Sequence, residues 1–322
     1  MTRTPIQFDI LINHRSGTVL KMGEDKVLEG LTAAFGDSLG DVVFIEGKDI
    51  ASSVRNWAEQ HAGGNRVLVI GGGDGTFVTA AEQVLGRDDI TLGVLPLGTQ
   101  NLFARQLGFS ADFNEAAAQY KSSALCKIDV GQVNDRHFLC GLVIDRNMPK
   151  FYEGREKMRD GKRLSALRKF ASFGATVLLG RKQRFNVSSE KDALAKMYKG
   201  RLFLVSNNLL TPKKSHFRLI TPGKARAVVE NLLFRGNMTE GRLAFYAVPA
   251  GAACLPNVAR HLQDGEWLEK NRVIMEVAQE FHISPPNDIP EAKVVLDGEV
   301  RKMNFPLDVK ILPGALKVCR PL

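Results

Sequence analysis

The sequence predicts an α/β domain built on a parallel sheet, followed by an all-β, sandwich-like domain. Residues 1–127 alternate short apolar runs with helix-like stretches, the texture of βαβ units whose strands are covered on both faces. After Lys127 the pattern becomes a succession of strand candidates bounded by Gly, Pro, Asn and Asp, without regular helices between them. At 322 residues, the chain is long enough for each domain to bury its own core. The boundary is placed between residues 127 and 128.

In the first domain, FDILIN (8–13), DVVFIE (41–46), RVLVIG (66–71) and ITLGVLP (90–96) read as strands, and IASSVRNWAEQH (50–61) and FVTAAEQVLG (77–86) as helices. In the second, the strand candidates are IDVGQVN, HFLCGLVI, RFNVSS, GRLFLVSNN, ENLLFRGN, GRLAFYAV, RVIMEVAQEFHIS, AKVVLDGEV and PLDVKILPGALKVC. No internal repeat or low-complexity tract interrupts them.

Function enters through two turns. In RVLVIGGGDGTFVTAA (66–81) a strand delivers the chain into glycines, whose missing side chains let backbone N–H groups approach phosphate, and a helix follows. It is neither a Walker A loop, since no GK[ST] follows, nor a GxGxxG fingerprint. A ligand-free tight turn is the plain structural alternative. Asp74 inside the turn would repel phosphate unless a cation or water intervened, so it reads as a magnesium or water-network ligand. One strand later, LPLGTQNLFARQL (95–107) repeats the arrangement, with Gly98 and Thr99 at the apex. In a parallel sheet both turns open toward one crevice.

Composition narrows the partners. Lys and Arg total 44 against 35 Asp and Glu, a net charge of +9 that favours an acidic partner such as nucleotide or anionic lipid. The four cysteines form no CxxC pair and the six histidines are scattered, so zinc and disulfide frameworks are set aside. The N-terminus lacks a signal-peptide core and no run reaches the ~18 apolar residues of a membrane span. A cytoplasmic protein with peripheral membrane contact is expected.

GGGDGT followed by PLGTQNLFARQLG resembles the diacylglycerol kinase catalytic family, which includes bacterial lipid kinases and sphingosine kinases. NAD kinases and phosphofructokinases share the GGDG turn but not the second segment. INHRSG (12–17) is similar to the family's NPxSG motif with His14 in place of proline, and LDGE (296–299) to its DGE motif. The resemblance implies an NAD kinase/diacylglycerol kinase-like fold and transfer of the γ-phosphate of ATP, with Mg²⁺, to a hydroxyl of diacylglycerol or a related lipid. It implies nucleotide contacts at Asn13, Gly72, Gly73, Asp74, Gly75, Thr76 and Thr99, with Asp297 as general base and Glu299 assisting. Taken as alternate residues of one strand, those two acids would share a face. QDGEW (263–267) repeats the triplet and reads as a surface turn.

Departures fall in the lipid region. VSNNLLTPKKSHFRL (205–219) replaces a glycine-rich stretch, LCGLVIDRNM retains Asp145 in an altered setting, and NMTEGRL offers Glu240 as metal ligand where aspartate is usual. FIEGKD, at the end of the second strand, lacks the threonine that often touches nucleotide. Lys150 to Arg184 holds eleven Lys or Arg against three acids, with an apolar stripe at helical spacing, as suits an anionic membrane surface. A solvated face on a packed helix is the structural alternative. Nucleic acid is not expected, since no recognition motif accompanies the charge. A homodimer is also entertained. The rival functions are a catalytically silent nucleotide- or lipid-binding regulator and an NAD kinase-type small-molecule kinase.

Overall fold

The computed structural model describes residues 6–99, 101–144, 183–200, 202–208, 238–248, 273–287 and 289–322. The chain divides into two compact units: Met1–Val130 together with Leu312–Leu322, and Gly131–Ile311.

In the first unit the expected βαβ texture is present. Strands β1 (Gln7–Asn13), β2 (Leu39–Ile45), β3 (Arg66–Gly72) and β4 (Leu92–Pro96) pair in parallel in the order β2-β1-β3-β4. Ile10, Ile12, Leu68, Val69 and Ile70 are fully buried, as near-continuous apolar strands must be when both faces are covered. Helices α1 (Gly17–Met22), α2 (Glu24–Phe35), α3 (Ile50–Gln60), α4 (Asp74–Glu82), α5 (Leu102–Leu107) and α6 (Phe113–Ala118) connect or follow these strands. Sequence periodicity did not single out α1 and α2. After β1 the chain steps outward to β2, then returns to the other side for β3. That reversal makes the carboxyl ends of β1 and β3 a topological switch point, where open α/β sheets bind ligands.

The chain's last segment corrects the expected division. PLDVKILPGALKVC reads as part of the β-rich domain, but its strand β16 (Leu307–Pro321) is divided between the units. Its C-terminal part lies parallel to β4, with Val318 opposite Leu92. An alternating strand pattern does not name its partner, so one boundary at 127/128 misses the second crossing at 311/312.

The second unit is an antiparallel sandwich. One layer runs β12 (Ile274–Ala278), β11 (Leu243–Val248), β10 (Leu202–Ser206), β7 (Gly141–Ile144), β14 (Glu291–Leu296), β15 (Glu299–Asn304). The other contains β8 (Gln183–Ser189), β9 (Asp192–Gly200), β13 (Glu280–Ser284) and the start of β16, while β5 (Ser123–Val133) pairs with β16 and with β6 (Arg136–Phe138). Phe185, Phe203, Phe245, Phe281, Leu296, Leu307 and Val309 fill one buried cluster drawn from both layers. Residues 150–182 of the basic segment Lys150–Arg184, together with Asp145, lie outside the described residues, as do residues 209–219 and 263–267.

Candidate active site

The two glycine turns of the first unit are built against each other. A Cβ on Gly98 would stand 2.4 Å from Gly73 Cα and 3.1 Å from Gly73 N, so backbone meets backbone with no room for a side chain. The Leu97 N–H donates to the Gly72 carbonyl at 3.0 Å and the Thr18 N–H to the Leu97 carbonyl at 3.0 Å. Asn101 holds the second turn: it adopts the left-handed conformation (φ 52°, ψ 44°), accepts from the Gly98 N–H at 2.9 Å and donates to the Gly98 carbonyl at 3.1 Å. Asparagine tolerates this conformation because its short amide bonds locally.

Asp74 is the first residue of α4, where the partly positive helix end favours a carboxylate. Its Oδ1 accepts from the Phe103 N–H at 2.9 Å, in the first turn of α5 after the other glycine turn. The carboxylate therefore ties the two turns together. Phe77 and Phe103 stack beneath this link, ring centroids 4.6 Å apart.

From the next strand, Asn13 donates to Thr76 Oγ1 at 3.2 Å and accepts from the Arg15 N–H at 3.0 Å. Gly72 is tight against Thr76, whose Cβ would be 2.7 Å from a Cβ placed there. Asn13, Gly72, Gly73, Asp74, Gly75 and Thr76 thus converge at the ends of β1 and β3. Thr99 is exposed beside Gly98. Strand-end amides and hydroxyls around two glycine bends form a setting suited to phosphate oxygens.

The second unit contains the other expected acids. Asp297 and Glu299 are not alternate residues of one strand. Asp297 and Gly298 form the two-residue bend between β14 and β15, with Leu296 paired to Glu299 and both bend residues at positive φ, 46° and 85°. That is the backbone of the tight hairpin turn that Asp-Gly favours. Asp297 is nevertheless 8% exposed, and its carboxylate accepts from the backbone N–H groups of Leu139 (2.6 Å), Cys140 (2.8 Å) and Gly141 (2.9 Å). Its own N–H donates to the Gly141 carbonyl at 3.0 Å. Glu299, its side chain 44% exposed, pairs with Arg301. Glu240 is exposed in the turn before β11.

No group of three or more His, Cys, Asp or Glu side chains among the described residues is arranged to enclose a metal ion. The donor chemistry suits a hydrated magnesium ion that arrives on nucleotide phosphates and meets a single carboxylate. Asp74 is the acid that lies at the two glycine turns. Motif reading passed over two other features. Asp9, buried in the first unit, accepts from Arg66 at 2.6 and 2.8 Å and from the Trp57 indole at 2.9 Å. His14 and Glu46 lie 2.8 Å apart at the ends of β1 and β2; the histidine in place of proline was the available signal.

Residues 7–133 match the model of the diacylglycerol kinase catalytic domain. A Staphylococcus haemolyticus protein named "putative lipid kinase" is 26% identical over 259 residues, covering 78% of this chain and 75% of that protein. A Pseudomonas aeruginosa protein named "probable lipid kinase YegS-like" is 44% identical over 82 residues, only 25% of this chain and 27% of that protein. In fold, the chain is similar to a crystal structure titled as a putative diacylglycerol kinase of Bacillus anthracis, with TM-score 0.66, 18% identity and coverage of 99% and 98%. The two adjoining glycine turns lie inside the matched segment, and the segment from residue 7 to residue 133 belongs to the diacylglycerol kinase catalytic family.

Proposed function

We propose that this protein is an ATP-dependent, magnesium-requiring lipid kinase that phosphorylates a hydroxyl of diacylglycerol or a related amphiphile. The observation that carries this reading is the backbone contact between Gly73 and Gly98 within a kinase-family domain. It joins the two glycine turns at the switch point into one seat for a polyphosphate. Gly72, Gly73, Gly75, Thr76 and Thr99 would contact nucleotide, and Asn13 would orient Thr76. Asp74 would serve a magnesium ion; when bound, that ion offsets charge on the transferring phosphate. Glu240, the other expected ligand, belongs to the second unit.

Phosphoryl transfer also needs a positioned hydroxyl and a proton acceptor. Asp297 is assigned as acceptor with Glu299 assisting. Three backbone donors hold the Asp297 carboxylate in one orientation. A lipid acceptor places the enzyme at a bilayer, toward which the basic segment Lys150–Arg184 would draw it; self-association as a homodimer is a further expectation.

The test is transfer of label from ATP with Mg²⁺ to diacylglycerol, sphingosine, ceramide or monoacylglycerol in mixed micelles. Transfer to one of them, lost in Asp74→Ala, is expected. Transfer to NAD instead would favour the small-molecule kinase reading. Nucleotide binding without transfer to any acceptor would favour the regulator.

A further inference from the structure

A second polar pair stands beside the phosphate turns. His14 follows β1 and Glu46 follows β2, and the parallel register that sets Asn13 opposite Ile45 brings them side by side. The His14 N–H donates to the Ile45 carbonyl at 3.1 Å. His14 Nε2 lies 2.8 Å from Glu46 Oε1, and Nδ1 lies 3.9 Å from Glu24 Oε1. The two side chains are 38% and 43% exposed and Nε2 itself is shielded, so the close contact fixes where the Glu46 carboxylate sits while leaving it room to meet a third group.

Its surroundings suggest that group. A Cβ on Gly47 would be 3.2 Å from Asn13 Nδ2, and the same amide donates to Thr76 in the phosphate turn. The pair therefore borders the nucleotide seat on the β2 side. In doubly wound sheets the phosphate rests on the glycine turn while the ribose reaches the end of a neighbouring strand, where a carboxylate accepts from its hydroxyls. Here β3 bears the turn and β2 lies two strand spacings away, about 10 Å, comparable with the reach from a triphosphate to its ribose.

Resting on the kinase reading above, we propose that Glu46, with His14 as its positioning residue, binds the ribose hydroxyls of the nucleotide and selects ribonucleotides over deoxyribonucleotides. An ionised carboxylate is an acceptor only and takes two neighbouring O–H donors at once. His14 limits its swing. As a simple surface pair it would contribute little to stability, so removing it tests recognition without unfolding the protein.

The experiment is calorimetric titration of the full chain, with Mg²⁺, by ATP, 2′-deoxyATP, 3′-deoxyATP and 2′,3′-dideoxyATP. Wild type should bind ATP at least about tenfold more tightly than the dideoxy analogue, the lower end for a charged hydrogen bond. Glu46→Ala and Glu46→Gln should bring that ratio near one by weakening ATP alone. His14→Ala should lower the ratio less, and the double variant no further than Glu46→Ala. A wild-type ratio near one, or an unchanged ratio in the Glu46 variants, would overturn the inference and leave the kinase reading standing. Wild-type protein that binds none of the four nucleotides would overturn the kinase reading itself.

Discussion

Replacing Gly98 by alanine tests the contact between the two turns directly. The added methyl would sit 2.4 Å from Gly73 Cα, 2.9 Å from Asn101 Oδ1 and 3.1 Å from Gly73 N. Carbon atoms rest at about 3.5–4.0 Å, so the turns must separate by more than 1 Å on the order of that spacing, and two of the three obstacles are backbone. Overpacking of this kind costs about 1–3 kcal/mol. The upper end applies, because separation also strains the Leu97–Gly72 and Phe103–Asp74 hydrogen bonds. A loss of about 3 kcal/mol corresponds to roughly 6–12 °C in Tm at this size. Gly73→Ala is the informative companion: its methyl would lie 3.5 Å from Gly98 Cα, ordinary contact, so the fold should hold while the proposed phosphate seat is filled. Gly17→Ala, with nothing within 4 Å, is the control. Circular dichroism melts and ATP titration read stability and binding separately. Gly98→Ala protein that melts within about one degree of wild type and binds ATP normally would refute the argued contact, given the expected cost.

Asp297→Ala should destabilise the second unit by about 3 kcal/mol, since three buried N–H groups lose their acceptor and alanine is strained at φ 46°. Asp297→Asn, which tolerates that backbone and keeps one acceptor oxygen, should lose less; urea unfolding of both would reveal whether the clamp is structural. Glu190 is held below its ordinary pKa: burial, which raises it, is outweighed by hydrogen bonds from the Gln279 and Glu280 N–H groups. Its contribution is therefore present above the ordinary glutamate range of about 4.3 and lost as pH falls through the lowered folded value. Glu190→Gln should reduce stability at neutral pH and converge with wild type in acid, as a pH series of urea melts would show. Burial pushes the Cys319 thiol up to about 12, so alkylation mapping at pH 8 should leave Cys319 unmodified until the chain is denatured. Asp9→Asn should cost about 3 kcal/mol, the low end for breaking a buried pair, because Arg66 is 33% exposed.

Much of the site was legible because its determinants are local. GGGDGT and LPLGT place glycines where backbone must approach backbone, and each turn follows an apolar strand, so composition and order sufficed. The Asp297 bend is equally local: Asp-Gly between two alternating runs is a hairpin turn. Reading DGE as strand put its two acids on one face because period-two alternation was carried through a dipeptide that reverses the chain. Burial of that bend depends on Leu139–Gly141, more than 150 residues away, and nothing near Asp297 announces those donors. His14 and Glu46 stayed unpaired on the page for the same reason, since parallel register joins them across 32 residues.

Sequence by itself determined the α/β-then-β order, the positions of the two glycine turns and the hairpin signal at Asp297, because periodicity, glycine placement and turn chemistry act over a few residues. Tertiary structure alone decided that Asp74 caps the neighbouring turn, that Asp297 is a buried clamp and that the final strand returns to the first unit. Those outcomes follow from which backbone donors and strand edges meet, and such pairings carry no mark in the residues until folding brings them within hydrogen-bond reach.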